Sequence, residues 1–313
     1  MMNGNSDLTG KTMVITGATS GIGRAAMRAL AARGAYVIGV GRSADRCREA
    51  EQAILAEFPH ARVRFAIADL SSQRQVRALA AVIREYVNSD GGGKLDVLVN
   101  NAGTVSSWYT TTEDGYELQF AVNHLAPFLL THELMPLLAR AESARVITVS
   151  SGSHYGARIV WDDVMLRRRY GVLRAYKQSK VANVMFTAEL NRRLGPASRI
   201  RAYAADPGLV STEIGLKGTS GLANRVWRRR MARGVSPEQA AETIVYLAAS
   251  PEVEGSAAVY WKDCRPKTPS CYARREEEAA RLWALSERLC GLEDAEQTSA
   301  TAPQLFAPPP ASQ

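Results

Sequence analysis

The chain has 313 residues, 46% of them hydrophobic and 22% charged, a globular composition long enough for one large core or two smaller ones. Its four cysteines, Cys47, Cys264, Cys271 and Cys290, form no C-x-x-C pair and have no His cluster beside them, which argues against a metal centre or a disulfide framework. A formal net charge of +8 marks a basic protein, but Arg167-Arg168-Arg169 and Arg228-Arg229-Arg230 lack interleaved stacking aromatics, so nucleic acid is not an expected partner.

Residues 1–8 read as a polar, flexible leader with no apolar signal segment. A strand at 12–16, a helix at 21–33 closed by Gly34, a strand at 35–40 and a helix at 44–58 follow. The pattern repeats with a strand at 63–68, a helix at 72–87, a glycine turn at 90–93 and a strand at 95–99. A long helix is expected over 113–139, bent near Pro127, then a strand at 146–149 and an irregular stretch over 152–172. A helix at 174–194 and a strand at 200–204 precede a basic loop at 215–234. Ser236-Pro237 opens a helix that runs to 249, a strand is expected at 257–260 and a helix at 275–289, and the tail at 293–313, with Pro308-Pro309-Pro310, is expected to be disordered. No stretch is long and apolar enough for a membrane span; the nearest, 121–138, is interrupted by Asn123, His124, Pro127, His132, Glu133 and Pro136.

Unbroken alternation of strand and helix predicts an α/β fold: one domain over 9–292, built on a doubly wound parallel sheet with helices on both faces. Ligands of such sheets bind beyond the carboxyl ends of the strands, which here carry Gly17–Gly23, Arg42, Asp69, Asn101, Ser151 and Pro207. The first of these, Gly17-Ala18-Thr19-Ser20-Gly21-Ile22-Gly23, lies between a strand and a helix. Glycines there let the backbone approach a pyrophosphate, with free N–H groups and the positive helix end facing the anion.

Tyr176 and Lys180 share one face of a predicted helix, a turn apart. An ammonium near a phenol favours the phenolate, so such a tyrosine can exchange a proton with a carbonyl oxygen. In isolation the spacing is common. Ser151, at the end of the fifth strand, is either a turn residue or a donor to a substrate oxygen. Asn123 is either a satisfied structural amide or a water-holding site residue.

Taken together, Thr16-Gly17-Ala18-Thr19-Ser20-Gly21-Ile22-Gly23, Asn100-Asn101-Ala102-Gly103, Asn123, Ser151, Tyr176-x-x-x-Lys180 and Pro207-Gly208-Leu209-Val210-Ser211-Thr212 resemble the short-chain dehydrogenase/reductases over about residues 8–260. Tyr176-Lys177-Gln178-Ser179-Lys180, Val122-Asn123-His124-Leu125 and Lys262-Asp263-Cys264 look closest to the retinol-dehydrogenase-like branch. The resemblance implies a Rossmann fold and assigns roles. Tyr176 would be the general acid or base, Lys180 would hold the nicotinamide ribose and tune Tyr176, Ser151 would polarise the carbonyl, and Asn123 would anchor a water leading from Lys180. Gly17, Thr19, Ser20, Gly21, Ile22 and Gly23 would cradle the cofactor, Asp69 and Leu70 would border its adenine, Asn101, Ala102 and Gly103 would line the adenosine side, Val210 and Thr212 would fix the carboxamide, and Pro207 and Gly208 would also contact the cofactor. Two departures stand out: the N-terminal anchor common in that branch has no counterpart, and Ala126-Pro127 replaces an expected Gly and His.

The end of the second strand bears on the cofactor. An acid there would bind the ribose hydroxyls of NAD; this chain has Gly41 and then Arg42, whose fork can grip a 2′-phosphate, so NADP(H) is expected. The substrate side is expected to combine His154, Tyr155, Ile159, Val160, Trp161, Met165 and Leu166 with a lid over about 209–235 carrying Leu216, Leu222, Val226, Trp227 and Met231. This lining suits a hydrophobic carbonyl or alcohol. The expectation is therefore an NADPH-dependent oxidoreductase of the cytoplasm, in a family where homo-oligomers are common. The alternative is a non-catalytic NADP(H) sensor or partner-binding protein on the same fold.

Overall fold

The computed structural model describes residues 7–209 and 234–293. Eight strands form one sheet in the order β3-β2-β1-β4-β5-β6-β7-β8. They are β1 (Thr12–Thr16), β2 (Tyr36–Gly41), β3 (Arg62–Ile67), β4 (Val97–Asn100), β5 (Ala144–Val149), β6 (Ile200–Asp206), β7 (Tyr260–Lys262) and β8 (Arg265–Lys267). The first seven are parallel, and only the β7–β8 hairpin is antiparallel. β1, β2 and β4 are buried along their whole length because helices cover both faces, which is why they read as continuous apolar runs rather than alternating ones.

Side chains alternate across the sheet and split the core in two. Val14, Ile38 and Leu98 face α3 (Gln73–Ser89), α5 (Ala126–Leu138) and α6 (Val172–Leu194). Met13, Ile15, Val37 and Val99 face α1 (Gly21–Ala31), α2 (Ala44–Glu57) and α7 (Pro237–Ala249). The C-terminal helix α8 (Glu276–Leu289) closes the first core: Trp283 lies edge-on to Phe128 at 4.9 Å and stacks on Phe186 at 5.9 Å. The order of strands reverses direction between β1 and β4, and their carboxyl ends open the crevice in which ligands of such sheets sit.

Two expected elements differ. The helix anticipated over 113–139 begins only at α4 (Leu118–Phe120), where the Glu117 carboxylate caps the Gln119 and Phe120 N–H groups, because the preceding chain folds into a tight turn closed by a Thr111–Glu117 bridge. It then widens into a π-turn over Ala121–Leu125 before α5, since Pro127 has no N–H to bond the Asn123 carbonyl. The strand expected at 257–260 starts at Tyr260 and continues into β8 through Asp263 and Cys264, both at positive φ (52° and 56°). That hairpin was not legible because the left-handed pair lacks the usual Asn-Gly.

Candidate active site

The glycine loop is tied down before any ligand arrives. Asn101 donates its amide to the Thr16 carbonyl (2.8 Å), while the Thr16 hydroxyl accepts from the Asn101 and Ala102 N–H groups, both at 3.0 Å. Thr16 thus joins the ends of β1 and β4, a role sequence reading missed. Gly17 adopts φ +69°, which favours glycine. A Cβ on Gly23 would run into the Gly17 carbonyl oxygen and sit 2.5 Å from the Asn101 amide nitrogen. Ser20 opens α1 with extended backbone and makes no side-chain cap, and no acid occupies the first turn. The positive helix end therefore faces the crevice unneutralised.

A cavity of about 1020 Å³ runs along this crevice. Gly17, Thr19, Ser20, Gly21, Ile22, Gly23, Arg42, Asp69, Leu70, Asn101, Ala102, Gly103, Ser151, Tyr176, Lys180, Pro207 and Gly208 all line it. Around Arg42 the lining includes Ser43, Arg46 and Arg24, with two acids, Glu49 and Asp69. Arg46 escaped the sequence reading because it reaches the cavity only through the way α2 starts at Ser43. Gly41 is more than a missing acid: a Cβ there would lie 2.5 Å from Thr19 Cγ2 and 2.7 Å from Cys47 Sγ.

At the other end β5 delivers Ser151 and α6 delivers Tyr176 and Lys180. Ser151 leaves the strand in extended conformation, its Oγ accepting from Ser153 N–H at 3.1 Å. Lys180 is only 5% exposed. Its ammonium donates to the Val149 carbonyl (3.0 Å) and lies 5.5 Å from the Tyr176 ring centre. Burial pulls its pKa down to about 8, and the negative charge of Asp206 opposes that pull. At neutral pH Lys180 is mostly charged, and a positive charge at this distance stabilises negative charge on a phenol oxygen.

Asn123 is fully buried and does not line the cavity. Its Oδ1 accepts from Thr104 N–H (2.7 Å), and its Nδ2 donates to the Thr104 carbonyl (3.1 Å) and to Ser179 Oγ (3.0 Å). The side chain clamps the loop after β4 onto α6. Val210 and Thr212 lie outside the described residues, as do Leu216, Leu222, Val226, Trp227, Met231, most of the expected lid, the tail from 294 and residues 1–6 of the leader.

The expected substrate lining is corrected in part. None of His154, Tyr155, Ile159, Val160, Trp161, Met165 and Leu166 lines the cavity. Their segment folds back over the first core instead: Ile159 and Leu166 are buried, Trp161 Nε1 donates to Glu278 of α8 (2.5 Å), and the Val160 N–H donates to Gln178 (2.9 Å). The apolar wall near Ser151 and Tyr176 comes from Leu118, Val122, Leu173 and Leu209. Among the described residues no group of His, Cys, Asp or Glu could hold a metal ion, and no helix is long and apolar enough to cross a membrane.

The family model described as short chain dehydrogenase matches residues 11–221. Retinol dehydrogenase 13 of Homo sapiens is 38% identical over 91% of this chain and 86% of its own length. A crystal structure of an uncharacterized protein from Mycobacterium paratuberculosis superposes with a TM-score of 0.71 at 34% identity, covering 91% of this chain and 95% of that one. The angucycline C-6 ketoreductase LanV, solved with bound NADP, matches with a TM-score of 0.64 at 25% identity over 82% of this chain and 95% of its own.

Proposed function

Because the chain belongs to the short chain dehydrogenase family and is an oxidoreductase, we propose that it moves a hydride between NADP(H) and a hydrophobic carbonyl or alcohol, with Tyr176 as the proton-exchanging group. The observation that carries this reading is the convergence of Ser151, Tyr176 and a buried, mostly charged Lys180 on the cavity that also holds the glycine loop. A sensor would need no such proton donor.

The residues present fit a dinucleotide. The cradle at Gly17 and Gly23 has no room for side chains, and the bare positive end of α1 suits a pyrophosphate. Arg42, Arg46 and Ser43 cluster where a ribose 2′-phosphate would be recognised, while Thr19 and Cys47 fill the space an NAD-selecting acid at 41 would need. The NADP bound to LanV and the retinol named for the human relative are consistent with this reading.

When bound, the nicotinamide supplies the hydride. In the reductive direction Ser151 donates a hydrogen bond to the substrate oxygen, and Tyr176 gives that oxygen its proton. The Lys180 ammonium stabilises the phenolate left behind and would hold the nicotinamide ribose. Leu118, Val122, Leu173 and Leu209 exclude water and favour apolar substrates.

The test is NADPH oxidation against hydrophobic ketones, aldehydes and quinones, run beside Tyr176→Phe. The wild type turns over at least one class. The variant is expected to lose about a hundredfold or more in kcat while still binding NADPH. Turnover surviving in the phenylalanine variant overturns the assignment.

A further inference from the structure

Asp206 ends β6, just before the Pro207-Gly208 turn that lines the cavity, but it does not line the cavity itself. It is 2% exposed. Its Oδ1 accepts from Gly208 N–H (2.9 Å) and its Oδ2 from the Tyr260 hydroxyl (2.7 Å). Both donors are neutral, and among the described residues no Arg or Lys forms a direct ion pair with this carboxylate. A buried carboxylate without a counter-charge is costly.

The β6–β7 ladder pairs Asp206 with the half-buried Lys262, and the β5–β6 ladder brings it to the strand that holds the buried Lys180. Val149 pairs with Ala205, and Ser150 N–H donates to the Ala205 carbonyl (2.8 Å), so Asp206 sits one residue beyond the partner of Val149. Val149 is the residue whose carbonyl receives the Lys180 ammonium, and the Ser150 hydroxyl donates to the Lys180 carbonyl (2.8 Å). A Cβ on Gly152 would approach Asp206 Oδ2 to 3.4 Å, so the carboxylate lies against the backbone that presents Ser151. The other titratable groups around the pair are Tyr176 on α6, Tyr260 and the ladder partner Lys262 on β7, and His154 and Tyr155 after β5. His154 is held neutral by burial, its Nδ1 hydrogen-bonded to the Ser151 carbonyl and its Nε2 accepting from Ser270 N–H. Asp206 is thus a buried carboxylate one ladder step beyond the partner of Val149, whose carbonyl holds the Lys180 ammonium.

We propose that Asp206 is the buried counter-charge of Lys180, a positioning residue that touches no substrate and keeps the active-site lysine an ammonium through turnover. The proposal rests on the reading of Lys180 given above. Its experiment separates the two. Lysine labelled with 13C at Cε is incorporated, the Lys180 signal is assigned by its loss in Lys180→Met, and its titration is followed by NMR in the protein without cofactor. The wild-type midpoint is expected near 8. In Asp206→Asn, which preserves the side chain's shape and an acceptor for Gly208, the midpoint falls by about one pH unit or more. In Tyr260→Phe, which removes a hydrogen bond but leaves the charge, it stays in place. An unmoved midpoint in Asp206→Asn, or an equal fall in Tyr260→Phe, overturns the proposal. Should Asp206→Asn fail to fold, the carboxyl carbon of Asp206 in the unaltered chain decides: an inflection at the Lys180 midpoint supports the pairing, and a flat trace there ends it. If the lysine midpoint moves in Asp206→Asn while the pH profile of NADPH oxidation does not, the catalytic role of Lys180 fails and the counter-charge stands.

Discussion

Arg42 stands exposed over the cavity at the end of β2, with Ser43 and Arg46 beside it and Glu49 and Asp69 as the opposing charges of the lining. If it grips a 2′-phosphate, Arg42→Asp removes a charge-assisted bond and adds repulsion. NADPH affinity is then expected to fall about tenfold to a hundredfold, and NADH affinity to hold or rise, in a fluorescence titration with both cofactors. Equal NADPH affinity in the two proteins would remove Arg42 from the site. Arg42 was legible because the residue after a strand of a doubly wound sheet points at the crevice. Arg46 and the wall formed by Leu118, Val122 and Leu173 were not, because their approach depends on how helices start and pack. The apolar residues of 152–172 misled for a related reason: hydrophobicity marks burial but does not say against what, and here the partner is α8.

At the level of elements, the β1–α1 turn and its latch act as one unit. Gly23→Ala would force the Asn101 amide off the Thr16 carbonyl or push the Gly17 backbone into the crevice. NADPH affinity should drop at least about tenfold, or roughly 1.4 kcal/mol, with little change in far-UV circular dichroism. Wild-type affinity in the alanine variant would mean the loop has room it does not show. The strand–helix alternation, the sheet class and the placing of the rim residues were readable, since each rests on local periodicity and turn glycines. The π-turn was only half readable. Pro127 announced a disturbance, but its form depends on Glu117 capping α4 from the end of a bridged turn.

Over the whole molecule, α8 seals the groove between α5 and α6, and His124 sits fully buried at that seam. Its Nε2 lies 2.9 Å from Ser286 Oγ, whose own proton goes to the Leu282 carbonyl (2.8 Å), so the ring donates through Nε2. Burial pushes the pKa of His124 down to about 4, against an ordinary 6.5. Between these values the unfolded chain binds a proton that the folded one refuses, so this group lowers stability as pH falls from 6.5 to about 4, by up to about 3 kcal/mol. His154, also pulled down by burial, adds to the same slope. Denaturant unfolding of His124→Gln across that range should show a shallower dependence on pH than the wild type. Identical slopes would place the acid sensitivity elsewhere.

The crowding at Gly41 has a consequence for how this protein can change over generations. Any carboxylate brought to that position by one codon change meets a methyl group of Thr19 and the sulfur of Cys47. Both neighbours must shrink first, and neither shrinkage brings a benefit until the acid arrives. Drift toward a different coenzyme is therefore fenced off by two side chains, and the lineage stays with whichever form Arg42 selects.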